Sequence, residues 1–470
     1  MRYSNYFAAS FLLYVITLPC YAQQQDAAPK QAIYAMPGLS DAPNGAAQDV
    51  APPDMNPDRT SLTGAQDFTV GTPGLRHSYW VPGLTLENSF QSSYNGSQDW
   101  VSTSHFVGTA SLNIFSSHSQ FALNYSGGGS VTNSNSVPDG YYHNLNTSQS
   151  FTWKRWTLAF LDEFSYLPQS TFGFGGVSNL GSPGVGGVLG SIVPGLQTNY
   201  SLAQSLFSST DPRFNNSAVV QTEYALTARS SLTTTASYGI LRFTQGNSIE
   251  TNDEIFSLGY NYQVTKNDTI GAVYRFTNYR FLGDPQALND HVANLAYGRK
   301  ITGRLALQLF GGPEINTFRH PIGTETERVS FSAGGLVTYA FRQGGLSITY
   351  NHGLSAGSGV LIGSVRDEVG SRFSFPISRR WNGSTGLGYA LNKPISGSVS
   401  PVGSQSLHSL YASGGLNYAL SRNVKVNVNY TFDYQDSTQL TCPAGGCGTN
   451  YMQHQIWVGF DWHTRPFVLR

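Results

Sequence analysis

The feature that most constrains this chain is a strict two-residue alternation near its C-terminus. Val424, Val426, Val428, Tyr430, Phe432 and Tyr434 alternate with Lys425, Asn427, Asn429, Thr431 and Asp433. Successive side chains of a β-strand point to opposite faces, so this stretch has one apolar and one polar face. The preceding arm alternates as well, with Leu410, Ala412, Gly414, Leu416, Tyr418 and Leu420 set against Ser409, Tyr411, Ser413, Gly415 and Asn417. Only Ser421-Arg-Asn423 separates the two arms, which makes them a hairpin. A soluble strand usually runs about five or six residues, whereas a tilted strand crossing a bilayer needs about nine to eleven. These arms have the second length.

Composition agrees. Of 470 residues only 11% are charged, while Gly (51), Tyr (27) and Phe (27) are abundant. A typical soluble domain is about a quarter charged. The mean hydropathy is nevertheless slightly negative, which suits alternating strands and does not suit apolar helices. Past the N-terminal leader, no segment reaches the roughly twenty apolar residues of a spanning helix. Lys+Arg and Asp+Glu are both 27, which gives no case for a nucleic-acid partner.

Residues 1–22 read as a secretory signal: Arg2, an apolar run from Phe7 to Leu18, and a small-residue cleavage site at Ala22. Cys20 is expected to leave with it, since Pro19 fits a lipoprotein site poorly. Two cysteines then remain, Cys442 and Cys447, and in an exported chain they are most simply a disulfide on a loop tip. No further ligands accompany them, so no metal is expected. Residues 23–79 are rich in Ala, Gln, Pro, Asp and Gly without sustained periodicity, and read as a flexible periplasmic segment. A plug or a partner tether is the sharper alternative.

From Leu84 the alternation hardly stops. Strands are predicted near 84–94, 101–115, 119–131, 141–153, 156–167, 214–227, 231–243, 252–264 and 268–281. They continue near 289–299, 303–316, 326–341, 345–357, 366–377, 381–392, 406–420, 423–435 and 451–464. That is eighteen strands, or sixteen if the weaker arms 84–94, 141–153 and 289–299 are not strands. The connections alternate short and long. Short ones include Ser116-Ser-His118, Lys154-Arg155, Thr265-Lys-Asn267, Ser378-Arg-Arg380 and Ser421-Arg-Asn423; the longest of the others is 168–213. Tight turns on one side and longer loops on the other describe an all-β, antiparallel, up-and-down transmembrane barrel over 80–470, with its short turns in the periplasm. Trp153, Trp156, Trp381 and Trp462 fall near the periplasmic strand ends, where an apolar ring and a polar N–H are both satisfied at the headgroup level.

The export signal, the meander of paired long strands and the aromatic-rich last strand (Ile456, Val458, Phe460, Trp462) resemble the Gram-negative outer-membrane β-barrel superfamily, and within it porin-like barrels of sixteen or eighteen strands. The resemblance implies an outer-membrane location, surrounding lipid, recognition of the last strand by the barrel-assembly machinery, and a third outer loop, 168–213, that folds inward to narrow the pore. It leaves a homo-oligomer open. The chain departs from the usual aromatic ending by continuing through His463-Thr-Arg-Pro-Phe-Val-Leu-Arg470.

At this strand number side chains cannot fill the lumen, so the polar face becomes the functional surface. Parity assigns Glu163, Glu223, Arg275, Arg304, Glu314, Arg372, Lys425 and Asp433 to it. Lys or Arg facing lipid at mid-membrane costs about 2–4 kcal/mol, which points the same way. Asp162 and Arg242 share parity with apolar neighbours and are expected near a bulge or above the bilayer. No His-Glu-x-x-His pair is present, and His105, His291, His352 and His454 lie on separate strands. No catalytic residue or cofactor is assigned. The reading is a channel for passive diffusion of small polar solutes, weakly selective because the charges balance. The alternatives are a plugged barrel that displays its outer loops and, third, an outer-membrane hydrolase.

Overall fold

The computed structural model describes residues 78–469 apart from 93–99, 134–139, 168–212, 228, 245–248, 266, 283–285, 303, 320–324, 342–343, 356–362, 379, 396–405, 422 and 438–450. The signal, most of the 23–79 segment, nearly all of the third outer loop and the Cys442–Cys447 pair lie outside the described residues.

The strands are β1 (Tyr79–Gln91), β2 (Val101–Phe115), β3 (Ser119–Thr132), β4 (Gly140–Thr152), β5 (Trp156–Leu167) and β6 (Arg213–Ala225). Next come β7 (Ser230–Phe243), β8 (Glu250–Gln263), β9 (Asp268–Leu282), β10 (Ala287–Lys300), β11 (Leu305–Arg319) and β12 (Glu325–Ala340). The last are β13 (Gly345–Ser355), β14 (Ser364–Pro376), β15 (Trp381–Pro394), β16 (Leu407–Ala419), β17 (Val424–Ser437), β18 (Tyr451–His463) and the short β19 (Phe467–Val468). Each strand pairs antiparallel with the next, and β18 pairs with β1 from Gly83 opposite His463 to Gln91 opposite Gln455. The two-residue β19 hangs on β1, so the closed meander has the eighteen strands that the alternation predicts, including the three weaker arms. Closure leaves the first and last long strands paired with each other rather than as free edges.

The short turns share a device. In five of them a Ser or Thr hydroxyl accepts the N–H two residues on: Thr227 from Arg229, Thr265 from Asn267, Thr302 from Arg304, Ser378 from Arg380 and Ser421 from Asn423. The side chain thus satisfies a donor that a tight turn leaves without a ladder partner. Thr302 also accepts from the Leu305 N–H, which delays β11 to Leu305, two residues after its expected start.

The C-terminal departure has a structural role. After β18, Phe467 and Val468 pair with Trp80 and Tyr79, and the Leu469 N–H donates to the Ser78 carbonyl at 2.7 Å. The Phe467 ring stacks on Trp80 with centroids 5.3 Å apart. The tail therefore extends the ladder below the seam. Deleting residues 467–470 removes these bonds and one aromatic pair while leaving the β1–β18 seam. The expected loss is about 1–3 kcal/mol of unfolding free energy, read from urea titration of the refolded barrel in vesicles with heat-modifiable gel mobility as the check on folding.

Candidate functional site

Burial follows the alternation strand by strand. On β17 the outward Val428 and Tyr430 are over 40% exposed, while the inward Asn427, Asn429 and Asp433 are buried. On β8 the outward Phe256, Leu258 and Tyr260 are exposed, and the inward Thr251, Asp253, Ser257 and Asn261 are buried. This inverts the arrangement of a water-soluble protein, because the apolar side chains are the ones on the outside. Aromatic rings gather at the short-turn end. Trp156 packs on Tyr224 at 4.5 Å and Trp381 on Tyr418 at 4.7 Å, while Trp153 lies in the β4–β5 turn beside Phe151. Trp462 is exposed near the end of β18. A closed barrel with an apolar outer wall, a polar inner wall and aromatic rings at its rim has only one suitable medium, a lipid bilayer. The chain is a transmembrane β-barrel.

Inside the barrel the charged groups form two stations. The first spans β8 to β12. The Arg275 guanidinium reaches the Asp290 carboxylate on the neighbouring strand at 3.2 Å, and both side chains are buried. Glu314, fully buried on β11, accepts a hydrogen bond from Ser330 Oγ at 2.9 Å, and Ser330 Oγ in turn accepts one from Asn316 at 3.3 Å. Asp253 stands opposite Gly239 and Tyr279, and a Cβ on Gly239 would sit 2.1 Å from its carboxylate oxygen. The glycine is what lets this carboxylate lie flat on the wall. On β14, Arg366 and Glu368 form a second buried ion pair at 3.3 Å. Above this station Tyr279, Phe281, Leu288, Phe318, Leu354 and Ile395 form a buried apolar cluster. Gly363, at φ +73, closes against Leu288 and Ile395, where any Cβ would lie within 3 Å of either.

The second station lies at the seam. Thr85 donates to Asp461 at 2.6 Å, and the Asn427 amide lies 3.4 Å from Glu87 and 3.3 Å from Asp461. Lys425 stands opposite Asp461 in the β17–β18 register. The first strand is thus latched from within to the last hairpin of the chain.

Several buried polar atoms have no protein partner among the described residues: a carboxylate oxygen of each of Glu223, Asp253, Asp290, Glu314 and Asp433, and Arg275 Nε. A buried carboxylate oxygen without a donor is costly.

Of the residues that parity assigns to the inner face, Glu223, Arg275, Glu314, Lys425 and Asp433 stand on inward strand positions, and only Arg275 and Glu314 share a station. Glu163 stands in β5 opposite Asn146 and Ser217, and Arg372 in β14 opposite Ser347 and Gly386; the side chains of both lie outside the described ones. Arg304 does not lie on a strand. It is exposed in the β10–β11 turn, because Thr302 captures its N–H. Asp162 is not at a bulge, since the registers run through it without interruption; it faces outward on β5 and accepts a hydrogen bond from Asn216 at 3.0 Å. Arg242 lies at the outer end of β7 and donates to the Leu241 and Thr251 carbonyls beside Glu250. The inward Glu87, Asp253, Asp290, Glu368 and Asp461 escape sequence inspection. Each occupies a polar position of an alternating strand, and it is the cross-strand register that makes the stations. Among the histidines, His105 faces inward with Ser89 Oγ at 3.4 Å, while His291, His352 and His454 face outward.

No protein-family model and no curated protein sequence matches the chain. Solved outer-membrane structures resemble it distantly. The outer membrane protein OpdK of Pseudomonas aeruginosa is 11% identical with a TM-score of 0.42, over 82% of this chain and 99% of that one. OccK2 (OpdF) of the same organism, solved in complex with glucuronate, is 10% identical with a TM-score of 0.42, over 82% and 98%. OccAB3 of Acinetobacter baumannii is 11% identical with a TM-score of 0.41, over 82% and 99%.

Arg275 provides a test of the first station. Arg275→Met leaves Asp290 buried beside Glu314 without its cation, and the expected cost is about 3–5 kcal/mol of unfolding free energy. Adding Asp290→Asn removes the uncompensated charge and should restore most of that loss in the same urea titration.

Proposed function

We propose that this outer-membrane barrel is a channel that passes small polar solutes by passive diffusion. The observation that carries the reading is the inner wall itself: a closed barrel of eighteen strands encloses a lumen too wide for side chains alone to fill, and the positions facing it are polar or charged on strand after strand.

Charge placement refines the expectation of weak selectivity. The whole chain balances, yet its charges are sorted in space. Among the described side chains Glu87, Glu223, Asp253, Asp290, Glu314, Glu368, Asp433 and Asp461 are on inward positions, against Arg275, Lys300, Arg328, Arg366 and Lys425. Meanwhile Arg229, Arg304 and Arg380 occupy periplasmic turns, and Arg242, Arg280 and Arg319 stand outward near the outer strand ends. A low-dielectric wall carrying more acid than base raises the local concentration of cations, so the proposed channel favours cations and cationic solutes. The near-complete burial of Asp253, Asp290 and Glu314 favours a second reading, a lumen closed at rest that opens only on a signal.

Single-channel recording of the refolded mature protein in a planar bilayer separates the two. The channel reading expects stable conductance steps with a reversal potential shifted toward cation permeability under a KCl gradient, and a smaller shift in the Glu314→Gln/Asp290→Asn variant. A folded protein that never conducts would reject the open-channel reading and leave the closed one.

A further inference from the structure

The outward face carries a repeated pair that the channel reading does not use. Tyr125 hydrogen-bonds His143 Nδ1 at 2.9 Å, and Tyr274–His291, Tyr389–His408 and Tyr430–His454 do the same at 2.8 Å. Each pair joins the two strands of one outer hairpin: β3–β4, β9–β10, β15–β16 and β17–β18. The offset is the same every time. His143 stands opposite Gly127, His291 opposite Phe276, His408 opposite Leu391 and His454 opposite Phe432, so each histidine lies one outward-facing step closer to the outer loops than its tyrosine. The imidazoles therefore form a belt at the upper limit of the apolar wall. Beyond it, outward positions turn ionic, with Arg280–Glu254 at 3.3 Å and Arg319–Glu325 at 2.9 Å.

We propose that this belt binds phosphate groups of anionic lipid in the outer leaflet, with His143, His291, His408 and His454 as donors. The proposal rests on the barrel crossing the membrane and not on its being a channel. The tyrosine occupies Nδ1 in every pair, and among the described residues Nε2 has no protein partner. In a neutral ring whose Nδ1 accepts from the tyrosine, Nε2 carries the hydrogen; in the imidazolium both nitrogens do. Either form offers an N–H to an anionic oxygen at headgroup depth. Neighbouring rings fix the imidazole plane, Phe276 at 4.8 Å from His291 and Phe432 at 4.9 Å from His454. A variant arrangement, with tyrosine and histidine on one strand and the anion at Nδ1, stands at the same level of the wall. At the β13–β14 hairpin, Tyr350 donates to Asp367 at 3.1 Å and His352 Nδ1 lies 2.6 Å from the same carboxylate. There the chain supplies its own anion.

The test is native mass spectrometry of the full mature barrel in detergent, titrated with a phosphomonoester lipid (dioleoyl phosphatidic acid) and, separately, with dioleoylglycerol, which shares the tails and lacks the phosphate. A charged donor near a membrane surface is worth about fivefold in affinity for anionic lipid, so the quadruple His→Gln variant should retain phosphatidic acid at least about fivefold less than the parent. Dioleoylglycerol retention should be low and equal in both. His352→Gln, whose partner is Asp367, should behave like the parent. Equal phosphatidic acid retention by parent and quadruple variant, or equal retention of the two lipids, overturns the proposal. Should the quadruple variant fail the heat-modifiability check for folding, His291→Gln and His454→Gln singly must each lower retention, and no change in either is equally fatal. Conductance is recorded on the same samples, so a failed lipid result stays separate from the channel reading.

Discussion

The structure depends first on the absence of water in the hydrocarbon core. An unpaired N–H or C=O there costs several kcal/mol, so a sheet can cross only if it closes on itself. Closure is made where β18 meets β1, by nine residue pairs from Gly83 to Gln91. The inner hydrogen bonds of Thr85, Asn427 and Asp461 and the added pairing of Phe467 with Trp80 reinforce that seam. Everything else follows from the pleat. Once the strands are tied in register, alternate side chains have no choice but lipid or lumen.

That forced choice explains how the charges are sorted. Carboxylates placed inward can be hydrated or paired, as Asp290 is by Arg275. Arg229, Arg304 and Arg380 lie in the short turns and Arg242, Arg280 and Arg319 at the outer strand ends, where a long side chain reaches water. A chain with no net charge thereby acquires a polarised interior. The outward exceptions are hydrogen-bonded locally: Asp162 by the Asn216 amide, Arg242 by backbone carbonyls beside Glu250, and Asp367 by Tyr350 and His352.

Strand number, order and orientation were legible in the sequence because alternation and turn spacing are local signals. The bounds of β2 and β5 coincide with their expected ranges. Misplacements have specific causes. The expected start of the first strand at Leu84 falls after Pro82-Gly83, which normally punctuates a strand; Pro82 is tolerated inside β1, where its carbonyl still accepts from Thr464. Arg304 falls in a turn and not on the wall; a hydroxyl-capped turn and a strand start look alike in sequence. The site was less legible. Parity shows that Glu314 or Asp433 faces inward, but the meeting of Arg275 with Asp290, or of Glu87 with Asn427, is set by register across loops and between distant strands. The Tyr–His belt was invisible for the same reason, since each pair is split by an outer loop.

The alternation of lipid-facing and lumen-facing side chains is the claim on which the account stands, and it can be measured residue by residue. Single spin labels placed at 426 to 431 of β17, in a background carrying Cys442→Ser and Cys447→Ser, would be tested in vesicles for collision with oxygen and with a water-soluble nickel chelate. The account predicts oxygen maxima at Val426, Val428 and Tyr430 and minima at Asn427, Asn429 and Thr431. A profile without a two-residue period, or with the maxima at the asparagines, would contradict it.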